Sequence, residues 1–185
     1  MICKVRSAAI FSLGCLVLGS LPADAESSIL FGGNGFSCTW QTAVSNGGDG
    51  FVTTSSLPLQ VALTSSNNRV GLSETDFTMT AEASGYVEFS WSYITRDAPG
   101  FDPFGYLHNG VFHVQTSATQ SQQNGALAVF IAQGDQFGFR QLSHDSVYGS
   151  ATATIQDFSF TPVPEPGCLL CLTGGVLASL LRRRL

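Results

Sequence analysis

Tyr86-Val-Glu-Phe-Ser-Trp-Ser-Tyr93 alternates without a break: Val87, Phe89, Trp91 and Tyr93 fall on one side of an extended chain, and Glu88, Ser90 and Ser92 on the other. Successive side chains of a β-strand point to opposite faces, so a period of two marks a strand with one face buried and one in water. Comparable runs occupy residues 36–44, 59–64, 75–81, 105–115, 126–132, 136–142 and 151–160. Turn-forming clusters separate them: Asn46-Gly-Gly-Asp-Gly50, Ser65-Ser-Asn-Asn68, Gln123-Asn-Gly125 and Gln133-Gly-Asp135. No run of ten or more residues carries a 3.6 period outside the two terminal segments. Eight or nine short strands at this spacing predict an all-β fold, an antiparallel β-sandwich of jelly-roll-like type.

One hairpin is predicted residue by residue. Asn109-Gly110 is the favoured pair for a two-residue type I′ turn, which sets His108 opposite Val111, Leu107 opposite Phe112 and Tyr106 opposite His113. On this reading Leu107, Phe112 and Val114 face the core, while Tyr106, His108 and His113 share the other face. Diagonal neighbours across two strands stand about 7 to 8 Å apart, near enough for two histidines to invite a metal. Zinc needs a third ligand that the sequence does not place, so no metal is assigned.

Both flanks have a different texture. Lys4 and Arg6 precede an apolar stretch from Ala8 to Leu21, and Ala23-Asp24-Ala25 supplies the small residues that a signal peptidase reads. Residues 1–25 therefore read as a secretory signal peptide, a signal helix cleaved between Ala25 and Glu26. A lipoprotein signal through Ser12-Leu13-Gly14-Cys15 fits less well, because the apolar run continues past Cys15. Residues 162–185 open with prolines, including the triplet Pro164-Glu165-Pro166, which hold their neighbours extended. Gly167 to Leu181 is uncharged, and Arg182, Arg183 and Arg184 follow. As a helix that stretch spans about 22 Å, short for a permanent anchor in a hydrocarbon core of about 30 Å. Snorkelling arginines would make up the difference and keep the C-terminus in the cytoplasm, so a C-terminal transmembrane helix follows the β-domain at 26–161.

The order of Pro164-Glu165-Pro166, short apolar helix and Arg182-Arg183-Arg184 resembles the PEP-CTERM sorting signal of Gram-negative bacteria. That resemblance implies an exosortase-type membrane peptidase as partner, after signal peptidase and the export machinery. It also implies an inner-membrane intermediate on the way to the outer surface or the extracellular matrix. Residues 75–160 resemble, in addition, an extracellular module that recurs in PEP-CTERM proteins. The matching stretches are Thr75-Asp-Phe-Thr-Met-Thr-Ala81, Asp102-Pro-Phe-Gly-Tyr106 with Asn109-Gly110, and Gly134-Asp135 with Phe137-Gly-Phe139. That family's function is largely unassigned, so the likeness implies architecture and no mechanism.

The two flanks hide the charge of what lies between them. The whole chain carries 8 basic and 13 acidic residues, but from Glu26 to Pro166 only Arg69, Arg96 and Arg140 face 12 carboxylates, without a lysine. Such a surface repels phosphate backbones and excludes nucleic acid as a partner, while it tolerates divalent cations or a polyanionic matrix bridged by them. Cys38 is the single cysteine of this stretch, so no internal disulfide forms, and its alternating setting reads as a buried, inert thiol.

Catalysis lacks its parts. No Gly-x-Ser-x-Gly elbow, His-Glu-x-x-His helix or phosphate-cradling glycine loop is present, and nothing marks Cys38 as activated by His108 or His144. No catalytic residue is assigned. The distinctive loop is Thr95-Arg-Asp-Ala-Pro-Gly-Phe-Asp-Pro-Phe-Gly105. Asp97 and Asp102 would suit calcium, although the spacing matches no EF-hand; Phe101, Phe104 and Tyr106 would suit stacking on a sugar; and the Asp, Pro and Gly residues also suit tight turns. All three readings stay open, and calcium is the one cofactor considered. The expected function is that of a non-catalytic exported protein of the cell surface or exopolysaccharide matrix, a binding or structural module. The alternative is an extracellular hydrolase acting on polysaccharide.

Overall fold

The computed structural model describes residues 40–163 and the backbone of two short strands before them, β1 (Lys4–Val5) and β2 (Phe36–Ser37), which pair antiparallel. The expected signal helix with its Ala25/Glu26 junction, Cys38 and the sorting tail from Pro164 onward lie outside the described residues, apart from the extended Lys4 and Val5.

Ten strands build the domain: β3 (Gln41–Val44), β4 (Phe51–Thr53), β5 (Gln60–Thr64), β6 (Ser73–Thr80), β7 (Gly85–Thr95), β8 (Phe104–His108), β9 (Val111–Val114), β10 (Gln122–Ile131), β11 (Gln136–Ser143) and β12 (Ala151–Pro162). They form two five-stranded antiparallel sheets, in the orders β10-β7-β12-β5-β4 and β3-β6-β11-β8-β9. From β5 onward the strands alternate between sheets except at the β8-β9 hairpin, and β12 and β11 insert between strands made much earlier. This is the winding of a jelly roll, with β3 and β4 added on one side. Among the described residues no helix is long and apolar enough to cross a membrane.

The aromatic strand is central. β7 pairs with β10 on one side and β12 on the other, and its Val87, Phe89, Trp91 and Tyr93 are all buried. Facing them, Phe77, Phe137 and Phe139 come from the second sheet: Phe89 meets Phe139 edge-on at 4.9 Å, and Trp40 stacks on Phe77 at 4.4 Å. Burying each such side chain is worth about 1.5–3 kcal/mol, so this seam is the main store of stability. Where β12 would lose phase, a bulge at Asp157, with φ of 52°, returns Phe158 and Phe160 to the core. Ser90 Oγ donates to Asp157 Oδ2 at 2.6 Å across that bulge.

The domain has ten strands where eight or nine are expected, and two further expectations are corrected. The hairpin register is as predicted, with positive φ at Asn109 and Gly110, but its faces are exchanged. Tyr106 packs against the core and stacks on His113 at 4.6 Å, whereas Leu107, itself buried, and Phe112 share the outer face with Arg140, whose guanidinium lies 5.7 Å from the Phe112 ring centre. The second correction concerns Gln123-Asn-Gly125, which is no turn but part of β10. Gly125 sits opposite Trp91, and a Cβ there would come within 2.9 Å of three atoms of the indole ring. The glycine makes room for the tryptophan. Gly125→Ala should therefore lower the urea midpoint, costing about 1–3 kcal/mol by overpacking; an unchanged midpoint would mean that the Trp91 ring has space to move.

Candidate ligand-binding site at the loop end

Antiparallel strands send every connection to one end or the other. The short connections 54–59, 81–84, 109–110 and 132–135 gather at one end, and 45–50, 65–72, 96–103, 115–121 and 144–150 gather at the opposite one. The second group is tied together across long sequence separations. Asn67 N donates to Asp49 Oδ1 at 2.7 Å, and Asn68 Nδ2 to Gly47 O at 3.0 Å. Ser146 O accepts from Arg69 N at 2.9 Å, Ser146 Oγ donates to Gly71 O at 2.7 Å, and Gly149 N donates to Asn67 Oδ1 at 3.1 Å. His144 N donates to Phe101 O at 2.8 Å, linking in the aspartate-rich loop.

Those bonds hold unfavourable backbone. Arg69, Ser146 and Tyr148 sit in the left-handed region at φ of 66°, 54° and 64°. For a residue other than glycine this costs roughly 1–2 kcal/mol. No burial rewards it at Tyr148, which is 83% exposed. Together Asn67, Arg69, Arg96, Val147, Tyr148 and Gly149 line an open cleft of about 490 Å³. Gly149, at φ of 125°, lets the loop pass Arg96 closely: a Cβ there would stand 2.9 Å from that of Arg96. A second groove of about 530 Å³ runs over the outer face of β7, β10 and β12, lined among others by Ser92, Ile94, Asn124, Thr152 and Thr154.

Beneath the loops the interior turns polar. Ser65, Ser66, Ser73, Thr75, Thr95, Asp102, Gln141, Ser143 and Ser146 are all buried here. Tyr93 Oη and Gln141 Nε2 donate to the Asp102 main-chain carbonyl at 2.9 and 2.8 Å, which fixes the loop onto both sheets. The Asp102 carboxyl itself is 0% exposed, and neither of its oxygens has a hydrogen-bond partner among the described residues. Burial pushes it up to about 6; the hydroxyls of Ser143 and Ser65 lean toward it and oppose the shift without closing a hydrogen bond, and Asp97 and Asp145 add to it.

The residues singled out in the sequence are dispersed by the fold. Asp97 and Asp102 are electrostatic neighbours, and Phe101 stands 47% exposed at the same end. Phe104 is fully buried against Trp91, and Tyr106 is packed on the core, so neither lies on a rim open to a sugar. Among the described residues no three His, Cys, Asp or Glu side chains gather to hold a metal ion. His108 turns away from His113: its Nε2 lies 2.7 Å from Asp135 Oδ2 at the opposite end. That contact, with the Asn109 amide and Ala132 N, holds the Asp135 carboxyl down at about 2. Arg69, Arg96, Asn67 and Tyr148 are not marked as site residues by any pattern in the sequence. The signals for them were slight: scarce arginines, and a large aromatic just before a glycine in a turn.

No family model matches the chain, and no curated protein matches it. Among solved structures it is similar to a native family 35 carbohydrate binding module from Clostridium thermocellum, at 12% identity and a TM-score of 0.35, over 62% of this chain and 90% of that one. It is also similar to the Podospora anserina GH26-CBM35 beta-(1,4)-mannanase, at 16% identity and a TM-score of 0.32, over 69% of this chain and 28% of that one.

The buried carboxyl makes stability depend on pH. Its value is raised on folding from 3.8 to about 6, so the folded state binds the proton more tightly. The contribution is full below about pH 4 and is lost as pH rises through 6, by at most about 3 kcal/mol. Asp135 has the opposite sign and acts only in stronger acid, between about pH 4 and 2. Urea titrations at pH 4, 5, 6 and 7 should show stability falling in the wild type and level in Asp102→Asn. Parallel slopes in the two proteins would mean that another group titrates there.

Proposed function

We propose that the chain is an exported, non-catalytic module that binds polysaccharide in the cleft between its loops. The observation that carries this is Tyr148. Its ring stands free in water on strained backbone that hydrogen bonds to the 65–72 and 96–103 loops hold in place, beside the Asn67 amide. Strain kept without packing reward points to function, and a rigid aromatic face next to an amide suits a sugar ring and its hydroxyls. Phe101 offers a further exposed face at the same end. Glycoside hydrolysis requires two carboxylates about 5 to 10 Å apart across the scissile bond. The cleft lining has none, which supports retention of the polymer and not its cleavage.

Delivery belongs to the flanks. Cleavage after Ala25 would release the N-terminus outside the inner membrane, and Pro164-Glu165-Pro166 with Arg182, Arg183 and Arg184 would pass the precursor to an exosortase-type peptidase. The domain then reaches the outer surface or the exopolysaccharide matrix.

On a panel of immobilised polysaccharides the full chain should be retained by at least one polymer without releasing reducing ends. Tyr148→Ala should weaken that retention about ten-fold at an unchanged unfolding midpoint. New reducing ends would establish the hydrolase instead, and full retention by the variant would move the site elsewhere, the outer-face groove first. For sorting, Glu165→Ala or serine at residues 182–184 should leave unprocessed precursor in the inner membrane. Normal release of both variants would make the tail a plain anchor.

A further inference from the structure

We propose that Arg69 and Arg96 clamp a carboxylate of the bound polymer, so that the ligand is an acidic polysaccharide with widely spaced charges. The inference rests on the glycan reading above and narrows its ligand. Of the three arginines among the described residues, Arg140 is already neutralised: its Nη1 lies 2.6 Å from Glu74 Oε1, and its Nε and Nη2 each lie 2.7 Å from the carboxylate of Asp76. Arg69 and Arg96 form no ion pair within the described residues, are exposed, and come from different loops to line one cleft. The nearby carboxylates each serve the loops with one oxygen, and among the described residues none pairs with either arginine. Asp49 accepts from Asn67 N, Asp97 from Ala98 N and Asp145 from Val147 N.

Nothing in the folding of the loop calls for arginine at 69, where a left-handed residue is cheaper as Gly or Asn. A pair of unneutralised guanidinium groups is instead a good receptor for a planar oxyanion, because each fork presents parallel N–H donors matched to carboxylate geometry. The surroundings decide how densely that ligand is charged. Ten carboxylates lie among residues 40–163 against these arginines, so a polyanion with a charge on every unit is repelled by the rest of the surface over a Debye length of about 8–10 Å. An isolated carboxylate on an otherwise neutral chain enters the cleft and leaves its neutral sugars to Tyr148 and Asn67.

The test uses the full-length protein with xanthan, gellan and high-ester pectin, each beside its carboxyl-reduced form, and dextran sulfate as the densely charged control. We expect at least one acidic polymer to be held about ten-fold more tightly than its reduced form, the difference fading as salt rises from about 50 to 500 mM. Arg69→Asn combined with Arg96→Gln should abolish the difference and keep the residual binding of the neutral form; asparagine is chosen because it tolerates the left-handed backbone. Arg96→Lys, which keeps the charge and loses the fork, should fall between. Equal retention of acidic and reduced forms by the wild type would overturn the clamp and leave the glycan reading standing. Retention of no polymer would overturn both. Dextran sulfate held more tightly than every carboxylated polymer would overturn the argument from charge spacing.

Discussion

The burial of one face of β7 is what the rest of the molecule depends on. That strand alone pairs along its length with both β10 and β12, and it sends Val87, Phe89, Trp91 and Tyr93 into the space between the sheets. Neighbouring features answer to it. Gly125 has no side chain because Trp91 lies across it, the β12 bulge restores Phe158 and Phe160 to the same seam, and Trp40 closes the edge against Phe77, Phe139 and Phe158. Even the polar end is tied to this strand, because Tyr93 reaches past the aromatic layer to hold the Asp102 carbonyl.

The interior is therefore graded, hydrophobic at the hairpin end and hydroxyl-rich under the loops. Apolar burial is non-directional and sets how much area is closed. A layer of serines, threonines, Gln141 and a carboxyl closes by hydrogen bonds with set directions, and each oxygen without a donor costs about 1–3 kcal/mol. Directional closure places the loops above it accurately, and the solvation lost by Asp102 is the thermodynamic counterpart of that accuracy.

The two halves of this design differ in how far they could be read from the residues. Strand β7 announces itself because one face is wet and the other dry, and Asn109-Gly110 sets the hairpin register because few other pairs accept two positive φ values. The face of that hairpin was misjudged because Leu107, Phe112 and Val114 outweigh Tyr106, His108 and His113 in hydrophobicity. Apolar bulk was a poor guide where the outer face is covered by Phe112 and Arg140. β4 has three residues at a sheet edge and no alternation, too little pattern to register. The cleft was illegible for a different reason. Arg69 and Tyr148 are held in left-handed backbone by loops that meet in space across more than seventy positions of chain, and no local pattern encodes such a meeting.

The direction of the last strand has a mechanical consequence. β12 starts beside the cleft at Ala151 and ends at Pro162, where the chain leaves the sheet at the hairpin end. The twelve residues make eleven steps of about 3.3 Å, which separate the two points by about 36 Å at most. If the loops hold a polymer and the chain is attached beyond Val163, as proposed above, tension between the two would run along the axis of β12. Its ladders to β5 and β7 lie on both sides and parallel to that pull. Their hydrogen bonds share the load in shear, and yielding requires many of them to fail together instead of one after another.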